Sequence, residues 1–412
     1  MSGQDDSAVA GPLRLCPFPA MRFNPAAVGD IGEVTSPPYD VMDWGMIDAL
    51  LSEHPNNIVR LILPRMVDDP VGSYNAYAKG ANRLKRWRST RVLMTDAEPA
   101  LYVYEYGDAS HRVCGLIGAL ELRRRSERVV LPHEDVVPGI VADRLAMMSS
   151  AEANLEPILL VYDGGGGATR PIIDAARAAE PFTDVQANDG TSHRLWAITD
   201  AEELTRIRDV VAPHQALIAD GHHRYATYLQ LQRRHHEVGD GPGPWDRGLA
   251  LLIDQGQSPL LLGAVHRSIA EVALHSLTAP AGSHLEPAVD LSGEMPARPT
   301  SAGEIVLTDG SQVRRLRVHA ARADLTSDAE LLHETLLPAW GISEDRVGYH
   351  HTVTQTLRSA HQDGGLAVIM HPPTVAQVMA VARAGKMMPR KSTSFGPKPR
   401  TGLVMRSFED EL

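Results

Sequence analysis

The stretch "LIADGHHRYATYLQLQRR", residues 217–234, places an acid, a glycine, two imidazoles and a guanidinium directly after a short apolar run. The apolar run is typical of a buried strand, and the amphipathic residues that follow predict a helix. A strand that passes through Asp220 and Gly221 into a helix presents the unpaired N–H groups of the helix start, which favour anions and above all phosphate. We therefore predict that this turn binds phosphate.

Each side chain of the turn can contribute to that chemistry. Gly221 permits a positive φ angle or the close approach of a ligand, and Arg224 can hold two phosphate oxygens in a fork. His222 and His223 can donate hydrogen bonds or transfer protons near neutral pH. Asp220 can bind Mg²⁺ or orient one of the histidines. A simpler interpretation stays open, in which Asp220 only caps the helix and the histidines lie on the surface.

Zinc is an alternative because His235–His236 and His350–His351 are further histidine pairs. Adjacent residues of a helix point about 100° apart, so one such pair rarely holds one metal ion. The sequence also lacks the H-E-x-x-H and C-x-x-C spacings of zinc sites. The pattern therefore disfavours zinc.

A second candidate is the loop "LPHEDVVPG", residues 131–139, which contains His133, Glu134 and Asp135. Arg144 follows shortly after it. A loop carboxylate beside a phosphate site can act as the general base for a hydroxyl nucleophile. A solvated acidic turn would explain the same residues.

The third candidate is a basic segment, "GKMMPRKSTSFGPKPRTGL", residues 385–403. Its side chains of interest are cationic or hydroxyl-bearing: Lys386, Arg390, Lys391, Ser392, Thr393, Lys398 and Arg400. The spacing is not that of a P-loop. The segment is interpreted either as a cationic wall that closes over phosphates or as an exposed basic tail. A glycine run, "DGGGGATR" at 163–170, favours a flexible loop.

The elements that position these motifs indicate a mixed α/β fold of the α+β kind. "ALYVYEYG" and "RVCGLIGALEL" are interpreted as a strand pair joined by the turn residues "DASH". Asp43 is a plausible N-cap for a helix, and "NNIVRLILP" after that helix is interpreted as a turn and a strand. The Pro/Gly-rich interval near 278–303 predicts a linker or long loop.

These elements suggest a five-part organisation. Residues 1–20 form a leader that we expect to be flexible, and 21–125 form an N-terminal α+β part. The core with both motifs occupies 126–275. A linker or long loop at 276–303 precedes a C-terminal α+β part at 304–412, which carries the basic segment.

Composition limits the class of protein. The 412 residues are 43% hydrophobic and 22% charged, which is enough for a sizeable core. The formal net charge of −11 disfavours nucleic acid as a partner. Cys16 and Cys114 form no disulfide framework, the N-terminus lacks a secretory pattern, and no apolar run reaches the ~18 residues of a membrane helix. We expect a cytoplasmic protein without membrane contact.

The chain resembles the domain-of-unknown-function family numbered 1015. The resemblance rests on "PPYDV" (37–41), "LPHED…ADR" (131–144), "ADGHHRY" (219–225) and "MPRKSTSFGPKPRTGL" near the end. It covers about residues 14–407. The Pro-His-Glu loop, the "PILLVYD" strand and the DGHHR turn also resemble the ParB/sulfiredoxin-type fold, and in particular its free-serine kinases.

That second resemblance implies roles for individual residues. It assigns the base to Glu134, and assigns phosphate and Mg²⁺ binding to the turn from Asp220 to Arg224, with His223 and Asp220 on the catalytic side. We expect the donor site to include Gly221, His222, Arg224, Lys391, Ser392, Thr393 and Lys398. We expect the acceptor site to include His133, Asp135, Arg144, Tyr39 and Asp40.

The function expected from these roles is a small-molecule kinase. It would phosphorylate a hydroxyl of serine or a similar metabolite from ATP, ADP or another phosphoanhydride with Mg²⁺. A nucleotide-binding switch or interaction protein of the ParB kind is the alternative, and a phosphohydrolase is a third option. The partners are thus a small hydroxyl substrate and a phosphate donor, and the sequence leaves the oligomeric state open.

Overall fold

The computed structural model describes residues 11–68, 75–164, 166–318 and 327–411. The chain forms two compact units. Unit 1 contains Met1–Pro132, Val136–Leu260 and Pro397–Leu412, and unit 2 contains His133–Asp135 and Leu261–Gly396. The His133–Asp135 loop and the C-terminal segment Pro397–Leu412 each belong to a unit whose other residues are distant in the chain, and the five-part organisation stays a prediction.

The strands are mostly short, and the longest lie in unit 1: β1 (Leu15–Cys16), β2 (Met21–Phe23), β3 (Leu93–Thr95), β4 (Leu101–Gly107), β5 (Arg112–Glu121), β6 (Val130–Leu131), β7 (Ala153–Asn154), β8 (Ile158–Tyr162), β9 (Thr183–Gln186), β10 (Ser192–Ile198), β11 (Ala216–Asp220), β12 (Arg247–Asp254), β13 (Leu261–Gly263), β14 (His266–Ile269), β15 (Ser283–Leu285), β16 (Val289–Asp290), β17 (Glu304–Thr308), β18 (Gln312–Val318), β19 (Val347–His350), β20 (Leu366–Ile369), β21 (Ser394–Gly396) and β22 (Arg406–Ser407).

The helices range from single turns to more than four turns: α1 (Pro25–Val28), α2 (Ile31–Val34), α3 (Trp44–Glu53), α4 (Val59–Ile62), α5 (Pro64–Asp68), α6 (Asn75–Ser89), α7 (Pro138–Ala151), α8 (Arg170–Arg177), α9 (Ala201–Val211), α10 (His222–Val238), α11 (Asp328–Leu331), α12 (Leu337–Trp340), α13 (Val353–Gln362) and α14 (Val375–Arg383). This content confirms the α+β class. Among the described residues, no helix combines the length and apolar character needed to cross a bilayer.

Unit 1 is built on one large mixed sheet. Its strand order is β6-β11-β8-β12-β5-β4-β10-β9, and β1 pairs with β5. The pairs β6–β11 and β8–β12 are parallel, and β4–β5 is the antiparallel pair expected from the sequence. All five residues of β8 and of β11 are buried, as continuous apolar runs covered on both faces should be.

Of two local predictions for unit 1, one is confirmed and the other is wrong. Asp43 caps α3 as expected, since its carboxylate accepts the N–H of Met46 at 2.8 Å. The strand expected at "NNIVRLILP" is wrong, because these residues form the short helix α4 instead. Its residues Val59, Leu61 and Ile62 are all buried, and a short apolar run does not by itself distinguish a buried helix from a strand.

Unit 2 has its own sheet, in the order β15-β18-β17-β20-β14-β19, with β16 also paired to β18. Its core contains Leu307, Leu316, Leu332, Leu366 and Val368. The interval 276–303, expected as a linker or long loop, contributes β15 and β16 to this sheet.

The structure describes only the second half of the expected leader, residues 1–20. Residues 1–10 lie outside the described residues. Leu13 is fully buried, and Leu15 and Cys16 pair with β5 of unit 1.

Candidate functional site

The turn at Asp220 has the predicted strand–glycine–helix form. β11 ends at Asp220, and α10 begins at His222 with Gly221 as its N-cap at φ 94° and ψ 29°. A Cβ atom on Gly221 would lie 2.9 Å from Ile158 Cγ2 and 3.1 Å from Arg224 Nε. Glycine is therefore required here both by the positive φ and by the lack of space. No side chain caps α10, so Asp220 does not have the capping role of the simpler interpretation.

The Asp220 carboxylate is held between two cations. Its Oδ2 accepts Arg224 Nη2 at 2.5 Å, and its Oδ1 lies 2.7 Å from Lys398 Nζ. Burial would raise the pKa of Asp220, but the charges of Lys398 and Arg224 outweigh burial and lower this pKa. The Lys398 ammonium also donates to Asp40 Oδ2 at 3.0 Å. Despite its burial, Lys398 has a raised pKa, because both carboxylates favour its charged form.

This arrangement does not fit Mg²⁺ at Asp220. Each of its carboxylate oxygens already faces a positive charge, and a divalent cation at either oxygen would be repelled. Within the described ranges, no three His, Cys, Asp or Glu side chains are grouped as metal ligands. In the structure Asp220 is thus the anionic partner of Lys398 and Arg224, and its metal-binding role stays a prediction that this pairing disfavours.

Arg224 is directed into the protein. Its side chain is 4% exposed, Nη1 donates to the carbonyl of Pro157 at 2.5 Å, and Nη2 donates to Asp220. Its Nε is buried beside the Gly221 turn and has no hydrogen-bond partner among the residues that the structure describes. The two terminal nitrogens that would form a phosphate fork are thus engaged within the protein, as charge and hydrogen-bond partners of Asp220 and Pro157.

The two histidines differ in environment. Burial lowers the pKa of His222 to about 4, so its imidazole is neutral at neutral pH. His223 Nε2 accepts the backbone N–H of Val137 at 3.0 Å, which ties the start of α10 to the residue preceding α7. The structure thus gives His223 a structural contact, and its catalytic role stays a prediction.

Tyr39, Asp40 and Arg144 lie in the same unit and close to the turn. The Tyr39 ring has the Arg144 guanidinium carbon 4.6 Å from its centroid and that of Arg224 at 6.0 Å. Arg144 Nη1 also donates to the carbonyl of Ile62 at 2.7 Å. The expected grouping of "PPYDV" with Arg144 and the DGHHR turn is therefore present in unit 1.

Glu156 belongs to this cluster and was missed in the sequence. It is 4% exposed and accepts the Tyr39 N–H at 3.3 Å and the Thr401 hydroxyl at 3.2 Å. Burial raises its pKa, although the charges of Arg224 and Arg144 oppose the rise. The sequence signal that could have revealed Glu156 is the position of an acid two residues before the fully apolar strand β8.

The segment that carries Lys398 is fixed by buried tyrosines. Tyr106 donates its hydroxyl to the carbonyl of Pro397 at 3.0 Å, and the Tyr104 hydroxyl accepts the Arg400 N–H at 3.1 Å. Arg400 Nε in turn donates to Thr35 Oγ1 at 2.6 Å. This part of the basic segment is thus ordered and internally bonded, which excludes a simple exposed tail for it.

The Glu134 carboxylate lies in unit 2 and accepts hydrogen bonds from the segment 391–393. Its Oε1 accepts the Ser392 N–H at 3.0 Å and the Thr393 hydroxyl at 3.1 Å, and its Oε2 accepts the Lys391 N–H at 3.3 Å. His133 Nε2 lies 2.8 Å from the same Thr393 hydroxyl. Burial raises the pKa of Glu134, although these donors favour its charged form. The solvated acidic turn is therefore not observed for Glu134, whereas Asp135 is exposed.

Arg267 was also missed, and it holds the loop that surrounds Glu134. It is fully buried and donates Nη2 to the carbonyls of Arg390 at 3.3 Å and Lys391 at 3.1 Å. Its Nε donates to His333 Nε2 at 3.0 Å. Burial lowers the pKa of Arg267 to about 10. With its carbonyls held by this cation, the loop directs the N–H groups of 391 and 392 to Glu134.

This geometry changes the interpretation of the Lys-Ser-Thr residues. They were expected to bind the phosphate donor, but their N–H and hydroxyl groups contact the Glu134 carboxylate in unit 2. The Lys391 ammonium lies 5.5 Å from the Tyr349 ring centroid. Ser392 Oγ donates to the carbonyl of Pro389 at 2.5 Å. The side chains available to a donor phosphate among the basic residues are thus fewer than the sequence suggested.

Several solved structures have a distant similarity to the chain. A mutant of free serine kinase in complex with ADP is 13% identical, with a TM-score of 0.37 over 69% of this chain and 91% of that chain. SbnI with a C-terminal truncation, from Staphylococcus aureus, is 10% identical, with a TM-score of 0.37 over 70% of this chain and 87% of that chain. A conserved hypothetical protein from Pyrococcus furiosus is 13% identical, with a TM-score of 0.32 over 69% of this chain and 94% of that chain.

No curated protein matches the sequence at a significant level. A family model described as "Protein of unknown function (DUF1015)" matches residues 15–335. This match spans well over half of the chain and confirms the resemblance stated from the motifs. The chain belongs to the DUF1015 family.

Proposed function

We propose that the protein is a small-molecule kinase that phosphorylates a hydroxyl of serine or a similar metabolite. The observation that carries the proposal is the environment of Glu134. Its carboxylate is half-buried, has a pKa raised by desolvation, and is fixed by donors from Lys391, Ser392 and Thr393. A fixed carboxylate whose pKa is closer to neutrality than usual suits a general base for a hydroxyl.

In the proposed reaction, Glu134 accepts the proton of the substrate hydroxyl. The hydroxyl oxygen forms a bond to the terminal phosphorus of the donor as the bond from that phosphorus to the bridging oxygen breaks. The leaving group is the nucleoside phosphate, or phosphate itself when the donor is pyrophosphate. Such transfers depend on positioning and on neutralising the charge of the phosphoryl oxygens.

The groups assigned to the donor phosphates lie in unit 1. Within the described part of the chain, the start of α10 has no side-chain cap. Its N–H groups and helix dipole favour an anion. The Lys398 ammonium keeps its charge beside this turn. The neutral His222 imidazole can donate one hydrogen bond without adding charge. No protein-bound metal is assigned a step, and the donor is taken as its magnesium complex in solution.

The test is ³¹P NMR of the full chain with MgCl₂, a mixture of hydroxyl amino acids and, in turn, ATP, ADP and pyrophosphate. The expected result is a new phosphomonoester signal, reduced by a factor of about 10²–10⁴ in rate in Glu134→Gln. Glu334→Gln is the matched control, since Glu334 is exposed in the same unit. Its rate should equal that of the natural sequence.

The other outcomes discriminate the alternatives. Hydrolysis of the donor without a phosphomonoester would replace the kinase with the phosphohydrolase. Binding of a donor without turnover, seen as a rise in melting temperature, would favour the nucleotide-binding switch. An unchanged rate in Glu134→Gln would overturn the assignment of the base while leaving the phosphotransfer in place.

A further inference from the structure

Unit 1 contains a second candidate site, in a cavity of about 220 Å³ at the carboxyl ends of β8 and β12. These neighbouring strands run parallel, with Tyr162 opposite Asp254 at their ends. In mixed α/β sheets the carboxyl ends of parallel strands are a common place for ligands. At ~30 Å³ for each water-sized group, the cavity has room for roughly seven or more non-hydrogen atoms.

The cavity is separate from the turn at Asp220. β11 runs antiparallel to β8, so that Ala216 lies opposite Tyr162 and Asp220 lies opposite Leu159. Asp220 is therefore near the beginning of β8, whereas the cavity is at its end. At ~3.3 Å per residue, these two ends of β8 are about 10 Å apart along the strand. The cavity thus lies outside the site assigned above.

The floor of the cavity is apolar, and its rim is charged. Val113, Leu116, Ile173 and Leu252 line it and are each at most 9% exposed. The charged lining residues are three arginines and three acids: Arg112, Arg170, Arg177, Glu105, Asp174 and Asp254. Such a lining suits a ligand with a short apolar body and a charged end.

The arginines of the rim differ in their partners. Arg177 is bonded to Glu105 and lies 3.5 Å from Asp174, and Arg170 lies 3.7 Å from Asp174. Both acids therefore have arginine partners. Arg112 is exposed, and over the described ranges its guanidinium has neither an acidic nor a hydrogen-bonding partner. Arg112 is thus the rim arginine whose charge is available to an anionic ligand.

The wall beside this rim is held by a network of hydrogen bonds around Asp254. Asp254 Oδ1 accepts the N–H groups of Gly164 at 3.2 Å and Gly256 at 2.9 Å. Gln257 Nε2 donates to Asp254 Oδ2 at 2.6 Å and to Thr169 Oγ1 at 3.2 Å. A Cβ atom on Gly164 would lie 2.1 Å from Asp254 Oδ2. The glycine run expected as a flexible loop is therefore fixed at Gly164 by a close approach that only glycine permits.

We propose that this cavity binds a small organic monoanion, with its carboxylate at Arg112 and Arg170 and its apolar body on the floor formed by Val113, Leu116, Ile173 and Leu252. The site does not depend on the kinase assignment, because it uses none of the residues of that reaction. Monocarboxylates of about four to six carbons match the volume and the one arginine without an acidic partner, Arg112.

The test is isothermal titration calorimetry of the full chain with butanoate and hexanoate at constant ionic strength, with hexylamine and hexanol as probes of the same body. We expect saturable binding of hexanoate, about ten-fold weaker binding in Arg112→Gln, and no saturable binding of hexylamine. Arg86→Gln is the matched control, because Arg86 is an exposed arginine of α6 that does not line the cavity. It should bind hexanoate like the natural sequence.

A second variant tests the volume rather than the charge. Ile173→Phe adds bulk to the wall and should abolish hexanoate binding while the circular dichroism spectrum and melting curve remain those of a folded protein. The proposal is overturned if no carboxylate binds saturably, if hexylamine binds as tightly as hexanoate, or if Arg112→Gln binds as tightly as Arg86→Gln. Should Ile173→Phe fail to fold, the comparison of Arg112→Gln with Arg86→Gln alone decides.

Discussion

The Thr393 hydroxyl donates a hydrogen bond to Glu134 Oε1 at 3.1 Å, across 259 positions of sequence. His133 Nε2 lies 2.8 Å from the same hydroxyl oxygen. Because a hydroxyl has one proton, donation to Glu134 leaves the oxygen as an acceptor for His133 Nε2–H. His133 thus holds the Thr393 hydroxyl, and this hydroxyl in turn holds one oxygen of Glu134.

Removing this hydroxyl should shift the pH dependence of phosphotransfer. The Thr393 hydroxyl favours ionised Glu134 and lowers its pKa against the effect of burial, so Thr393→Val should raise that pKa further. We expect the acid limb of kcat/KM to move up by about one pH unit in Thr393→Val and to stay in place in Thr393→Ser. If the acid limb of kcat/KM lay at the same pH in Thr393→Val and Thr393→Ser, the hydroxyl would not act on Glu134.

Gly221 and Gly239 provide a matched pair at the two ends of α10. Both have positive φ, at 94° and 89°, but a Cβ atom would meet Ile158 and Arg224 at Gly221 and nothing within 4 Å at Gly239. Gly239→Ala should cost about 1–2 kcal/mol of unfolding free energy from backbone strain alone. Gly221→Ala should cost about 3 kcal/mol because overpacking adds to strain. Urea denaturation measures both, and equal costs would contradict the close packing at Gly221.

Lys398 should be coupled more strongly to Asp220 than to Asp40. Side-chain exposure is 10% for Asp220 and 38% for Asp40, so solvent screens the second pair more. Double-mutant cycles with Lys398→Met and either Asp220→Asn or Asp40→Asn should give coupling energies of about 2 kcal/mol and at most about 0.5 kcal/mol. A larger coupling to Asp40 would reverse the assignment of the buried partner.

His222 should make the folded state sensitive to acid. Burial lowers its pKa to about 4 from an ordinary value of 6.5, so the unfolded chain binds this proton more readily than the folded chain. Stability from neutral His222 is therefore present above pH 6.5 and is lost as the pH falls toward 4. The free energy of unfolding of the natural sequence relative to His222→Asn should decrease between pH 7.5 and 4.5. A difference that is constant with pH would show that His222 titrates normally.

The sequence alone predicted the local parts of the site. The strand, Gly221 and the helix at 216–238, the N-cap at Asp43 and the hairpin of β4 and β5 all followed from it. Apolar periodicity, capping residues and turn residues act over a few positions, so one segment is enough to predict them. "NNIVRLILP" was misread as a strand because a short apolar run fits both kinds of buried element.

The partners of the buried charges were decided only by the tertiary structure. Nothing near Asp220 in the sequence indicates that Lys398 neutralises it, and this contact disfavours the metal role expected of Asp220. Likewise, the Lys-Ser-Thr segment holds Glu134, and Arg267 fixes that segment from another strand. Which charges meet depends on how distant segments pack, and the cost of burying an unpaired charge then fixes the partners. Residue types and spacing therefore predicted the chemical groups, whereas the packing of distant segments decided which group acts on which.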